Sequence, residues 1–83
     1  MDRAYDYTVF PDNSREKFLD TCIAIKTLYP NSETKMLEDV DGSILCVFQI
    51  NGYEVVVYDD YDVGAVYVKS DLDLTQISSS WKC

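Results

Sequence analysis

Ile44-Leu45-Cys46-Val47-Phe48-Gln49-Ile50, then Asn51-Gly52, then Tyr53-Glu54-Val55-Val56-Val57-Tyr58 is the stretch that decides the fold. Two runs rich in β-branched and aromatic residues flank an Asn-Gly pair, which readily supplies the positive φ angles of a two-residue hairpin turn. Such a turn sets Ile50 opposite Tyr53, Phe48 opposite Val55 and Cys46 opposite Val57. A second turn signal, Asp41-Gly42, precedes the first run. A longer connection, Asp59-Asp60-Tyr61-Asp62-Val63-Gly64, leads into a third run over residues 65–69. Pairing Tyr58 with Ala65 across it brings Val57 to Val66 and Val55 to Val68. Side chains alternate between faces along a strand. One face therefore carries Ile44, Cys46, Phe48, Ile50, Val55, Val57, Val66 and Val68, and is apolar enough to be a core.

The opposite face carries Leu45, Val47, Val56, Tyr58 and Tyr67, rimmed by Gln49, Glu54 and Lys69. A solvated sheet face reads polar, and this one does not. Either another part of the chain covers it or it is a binding surface.

Outward from the hairpin, Pro11-Asp12-Asn13 is a turn, and Asn13 with Glu16 reads as an N-cap and its capping box. Phe18, Cys22, Ile25 and Tyr29 follow at helical spacing, with Leu19, Ile23 and Leu28 widening the stripe. Pro30 ends that helix near Leu28 or Tyr29. Residues 4–10 form either a short strand or an ordered arm, which extends the sheet or packs on its second face. Asp73 with Gln76, followed by Leu74, Ile77 and Trp81, marks a short C-terminal helix as a further candidate cover. The expected architecture is α+β: one N-terminal helix on an antiparallel β-meander of three to five strands, in a single domain spanning residues 1–83.

Eighty-three residues allow one domain, which buries about 60–65% of the surface of its unfolded chain. The 47% apolar content suffices for a core. No apolar run approaches the roughly 20 residues that span a bilayer. The opening residues, Met1-Asp2-Arg3-Ala4-Tyr5-Asp6, lack the basic flank and apolar stretch of a signal peptide. A cytoplasmic protein with no membrane partner is expected. Cys22, Cys46 and Cys83 have no metal-ligand spacing, and their odd number precludes a closed disulfide framework. Cys22 and Cys46 fall on core-facing positions.

Charge is the most informative property. The net charge is −8, and its distribution is uneven: five acids against four bases over residues 1–32, ten against two over residues 33–73, and one lysine after that. The excess therefore belongs to the meander and its turns. Direct binding to nucleic acid is disfavoured, because phosphates require clustered Lys and Arg. A basic partner is attracted.

Chemistry is poorly supplied. The chain has no histidine, so the commonest general base, metal ligand and nucleophile partner is missing. All three glycines fall at expected turns, which leaves no phosphate-cradling loop. Windows starting at Asp39 and at Asp60 both fail the calcium-loop pattern, the first with Ile44 and the second with Ala65 at the glycine position. The acidic turns offer at most adventitious divalent binding. No enzyme, cofactor or metal site is expected.

The seven tyrosines admit two readings. Tyrosine is a good strand residue as Asp is a good turn residue; it is also a rigid, amphipathic contact residue enriched at interfaces. The second reading is sharpest for Asp59, Asp60, Tyr61 and Asp62, beside Tyr58, Tyr67 and Glu54, with Glu38, Asp39 and Asp41 in the neighbouring turn. These ten are the candidate partner-binding residues. In size, net charge, absent histidine and Tyr/Asp-rich sheet, the chain resembles small phage-encoded anti-defence proteins, the anti-CRISPR inhibitors among them. That resemblance is one of overall character and transfers no motif. It implies a stoichiometric inhibitor in a host cytoplasm, a DNA mimic that occupies the basic site of a nuclease or nucleic-acid-binding complex. The alternative is an ordinary protein–protein module: an immunity protein, a chaperone-like partner or a homodimer subunit using the apolar, tyrosine-bearing sheet face.

Overall fold

A computed structural model describes residues 5–40 and 42–74. At its centre is the expected hairpin, β3 (Ile44–Ile50) and β4 (Tyr53–Asp60), with Ile50 opposite Tyr53, Phe48 opposite Val55 and Cys46 opposite Val57. Asn51 and Gly52 take φ of 52° and 84°, the left-handed angles that a primed turn needs.

The next hairpin, to β5 (Ala65–Ser70), is tighter than expected. Tyr58 lies opposite Tyr67 rather than Ala65, and Val57 opposite Val68 rather than Val66. β4 continues through Asp59 and Asp60, so the connection shrinks to residues 61–64. Asp60 closes it: its carbonyl accepts from Gly64 N at 2.8 Å and its Oδ1 from Asp62 N at 2.9 Å. The slip is by two residues, and a shift of two preserves which face each side chain occupies. The expected faces therefore survive an incorrect register.

Two further strands complete the sheet in the order β1-β5-β4-β3-β2, antiparallel throughout. β1 (Tyr5–Phe10) pairs with β5, and β2 (Glu33–Glu38) with β3. The N-terminal segment thus extends the sheet instead of covering its second face. Of the expected C-terminal helix, everything beyond Leu74 lies outside the described residues. Leu74 itself is buried in the core, its N–H donating to the Tyr7 hydroxyl at 2.8 Å.

Helix α1 (Arg15–Leu28) runs over one face of the sheet, packing mainly on β4 and β1. Its N-cap is Ser14, whose Oγ accepts from Lys17 N at 3.2 Å, and not Asn13. Asn13 is used elsewhere, bonding Asp59 Oδ1 at 3.1 Å and Asp60 O at 2.9 Å. The helix ends at Leu28 with Tyr29 as C-cap, immediately before Pro30. Phe18, Cys22 and Ile25 are buried, as is Thr21, whose hydroxyl returns a bond to Lys17 O at 2.8 Å. Leu19 and Ile23 are exposed, so the buried stripe is narrower than the sequence suggests. One core joins Phe18, Cys22 and Ile25 to the expected sheet residues, with Val9 and Leu74 added. Each large apolar side chain buried there contributes about 1.5–3 kcal/mol. Because α1 lies toward β1, every residue of β2 remains exposed.

Candidate functional site

The face of the sheet away from α1 is organised in cross-strand rows. Directly opposed residues share a face, so the registers align Leu37, Leu45, Tyr58, Tyr67 and Thr8 in one row. The next row is Lys35, Val47, Val56, Lys69 and Asp6, and beyond it come Glu33, Gln49 and Glu54. Leu45, Val47, Tyr58 and Tyr67 are half-buried and Leu37 is exposed, which gives an apolar strip across the sheet.

Tyr58 and Tyr67 stack with ring centroids 4.7 Å apart and planes 13° from parallel, with Lys69 Nζ 5.9 Å from the Tyr67 centroid. The Tyr67 hydroxyl donates to Asp60 Oδ2 at 2.9 Å. Burial, then that bond and the Asp60 charge, push the hydroxyl above the usual tyrosine range. It stays a protonated donor that locks the ring pair to the loop.

The structure distributes the ten sequence-derived candidates unevenly. Asp39, Tyr58, Asp60 and Asp62 surround one shallow depression of about 180 Å³, together with Ser43, Ile44 and Leu45. Tyr67 adjoins it through the Tyr58 stack. Tyr61 sits at the loop tip, half exposed, its N–H donating to Ser43 Oγ at 2.9 Å. Glu54 lies six residues from Asp60 along β4, ~20 Å away at the strand rise, and accepts from Gln49 Nε2 at 2.8 Å. Glu38 is opposite Ile44 and so belongs to the helix side of the sheet. Asp41 lies outside the described residues.

Asp59 is a correction. It is only 1% exposed, because alternation along β4 sets it opposite Ile44 and Val66 on the core side. Arg15 Nε reaches its Oδ2 at 3.2 Å and Asn13 Nδ2 its Oδ1 at 3.1 Å. Asp59 is an internal clamp joining the start of α1 to the end of β4, and its carboxylate is not offered to a partner. The sequence reading missed this clamp, and it also missed Lys35 and Leu37 on the face. A signal for the clamp was present: an arginine in the first helical turn opposes the helix dipole and needs another reason to be there.

Among the described residues, no group of three or more Cys, Asp or Glu side chains converges to hold a metal ion, and no helix is long and apolar enough to cross a membrane.

The loop depends on Gly42. Its φ is +91°, and a Cβ there would lie 2.9 Å from Tyr61 Cε2, whereas Gly52 at φ +84° has open space. Gly52→Ala is expected to cost about 1 kcal/mol from backbone strain alone. Gly42→Ala should cost about 1–2 kcal/mol, because the Tyr61 ring must also move. Urea unfolding measures both, and a tyrosine ring shift on NMR should appear only for Gly42→Ala.

No family model, no curated protein and no solved structure matches this chain.

Proposed function

We propose that this domain is a non-catalytic binding protein that seats the acidic end of its open sheet face on a basic, nucleic-acid-binding surface of a partner protein and blocks it stoichiometrically. One observation carries the reading. Asp39, Asp60 and Asp62 line one depression together with Leu45 and Tyr58, so carboxylates adjoin an apolar, aromatic contact strip. Rigid aromatics with a polar rim are the usual composition of protein interfaces. The net charge of −8 steers basic partners toward it. The resemblance to phage anti-defence proteins puts a nuclease among the candidate partners.

The test is capture from lysate at low and high salt, followed by competition with DNA. Basic nucleic-acid-binding proteins are expected, released at roughly 0.5 M salt, where the screening length falls below about 5 Å, and displaced by DNA. Asp39→Lys with Asp62→Lys should weaken binding at least about tenfold, or ~1.4 kcal/mol. Partners that are neutral or acidic and retained at high salt would sink the mimicry reading. They would favour the second one, an ordinary protein module or homodimer docking through the Leu37–Leu45–Tyr58–Tyr67 row.

A further inference from the structure

The two edges of the sheet differ. β1 is blunted: its register slips between Thr8 and Phe10, Val9 is buried, and Pro11 follows it. Bulges and prolines are devices that keep an edge from pairing. β2 has neither. Its pairs with β3 run without a slip, and all of its residues are exposed, Met36 at 49% and Leu37 at 42%. Asp39 N donates to Ser43 O at 2.8 Å at the end of the same ladder. Hydrogen-bonding direction alternates along an antiparallel strand. The backbone groups of Lys35 and Leu37 therefore also face β3, and those of Thr34, Met36 and Glu38 point out of the sheet.

We propose that β2 pairs antiparallel with β2 of a second copy about a two-fold axis at Leu37, which joins the two five-stranded sheets into one. Symmetry and charge choose this register. Directly opposed residues share a face, so the axis must pass through a residue and not between two. At Lys35 or at Glu38 it sets like charges against each other. At Met36 it sets Glu33 against Asp39 at both ends. At Thr34 it needs Ser32 as a strand residue, and Ser32 N is already committed to Tyr29 O at 3.0 Å.

At Leu37 the axis sets Lys35 of each copy against Asp39 of the other, and Lys35 forms no ion pair among the described residues of its own chain. Met36 and Glu38 of opposite copies then exchange their outward N–H and C=O groups. Leu37 meets its own counterpart at a non-hydrogen-bonded position, where Cα atoms approach to about 4.5 Å. The row Leu37–Leu45–Tyr58–Tyr67 thereby continues from one copy into the next. α1 packs toward β1 and β4, so neither helix obstructs the approach. So short an edge buries less than the roughly 1,200 Å² of a standard interface. The dimer is accordingly weak, with a dissociation constant on the order of 100 µM.

Sedimentation equilibrium of the whole chain tests this, with a reductant present so that Cys83 forms no intermolecular disulfide. At about 0.15 M salt, charges are screened beyond about 8 Å, which mutes the repulsion between two chains of net charge −8. A reversible dimer is expected. Lys35→Asp or Asp39→Lys alone should weaken it about tenfold or more, and the two together in one chain should restore it. A chain that stays monomeric up to about 1 mM, or a dimer indifferent to both substitutions, would overturn the proposal. A dimer tightened by Asp39→Lys would place the axis at Met36 and overturn the register. Met36→Pro removes a donor that β2 does not use in its own sheet, so the variant should keep its circular dichroism and become monomeric. Amide exchange in the unaltered chain needs no variant to fold. Met36 and Glu38 should gain protection as concentration rises while Lys35 and Leu37 do not change, and an equal response of all four would overturn the pairing. None of these measurements involves the partner proposed above. Met36→Pro also leaves Asp39, Asp60 and Asp62 in place, so failure of the dimer and failure of the sheet-face reading are separable.

Discussion

Phe18→Ala is expected to remove about 3–5 kcal/mol of stability, much of what a domain of this size possesses at roughly 5–10 kcal/mol. Phe18 is fully buried and is the largest side chain that α1 inserts against the sheet. Among the described residues α1 is the one helix on the core face, so no other described helix stands ready to fill the void. The Arg15 guanidinium lies 5.8 Å from the Phe18 centroid, so the substitution also removes the surface on which that cation rests. Urea unfolding followed by far-ultraviolet circular dichroism reads the loss directly. Ile23→Ala on the same helix is the control. Ile23 is 63% exposed, and its truncation should change stability by no more than about 0.5 kcal/mol. Similar losses for the two variants would mean that α1 packs in a different rotation.

Arg15→Ala is the second large effect, at about 2–3 kcal/mol. The Asp59 carboxylate, 1% exposed, would keep Asn13 and lose a charge-assisted bond worth roughly 1.5–3 kcal/mol. The opposite deletion should be milder. Asp59→Asn leaves Arg15 unpaired, but that side chain is 45% exposed and water can solvate it, so about 1 kcal/mol is expected. The asymmetry is diagnostic, because an uncompensated charge is costly only where it is buried. In the double variant the penalties should fall short of their sum by about 1 kcal/mol, the coupling that a double-mutant cycle isolates. Additive losses would show that the two side chains do not interact in solution.

Both variants act on features that differ in how plainly the sequence announces them. The β3–β4 register was legible because Asn51-Gly52 admits essentially one turn geometry, and every pairing then follows by counting. The β4–β5 register was not, since Asp59-Asp60 reads as a loop by composition. Only the contacts of those carboxylates, with Asn13 and Arg15 for one and with Asp62 N and Tyr67 for the other, allow the strand to run through them. The Asp59 bonds join residues more than forty positions apart and leave no local periodicity. The same limit explains the N-cap: Ser14 and Asn13 are both good caps, and the choice was made by a strand far along the chain. β2 was hidden because Met36-Leu37 interrupts the alternation that marks a half-buried strand. At the site, the aromatic face could be read from parity alone, while Asp59 was misplaced for the same reason as the register.

The loop at residues 61–64 is held from several directions before any partner arrives. Gly64 N is bonded to Asp60 O, Tyr61 N to Ser43 Oγ, and Asn13 holds Asp60 O from the far side. Ordering a free segment costs about 1–2 kcal/mol per residue, and here folding has already met that cost. A partner of the kind proposed above would therefore forfeit little affinity to freezing the loop. The same rigidity prevents the loop from remoulding itself around differently shaped surfaces, and adaptable binders depend on that freedom. On the proposed reading, a narrow partner range is built into this turn.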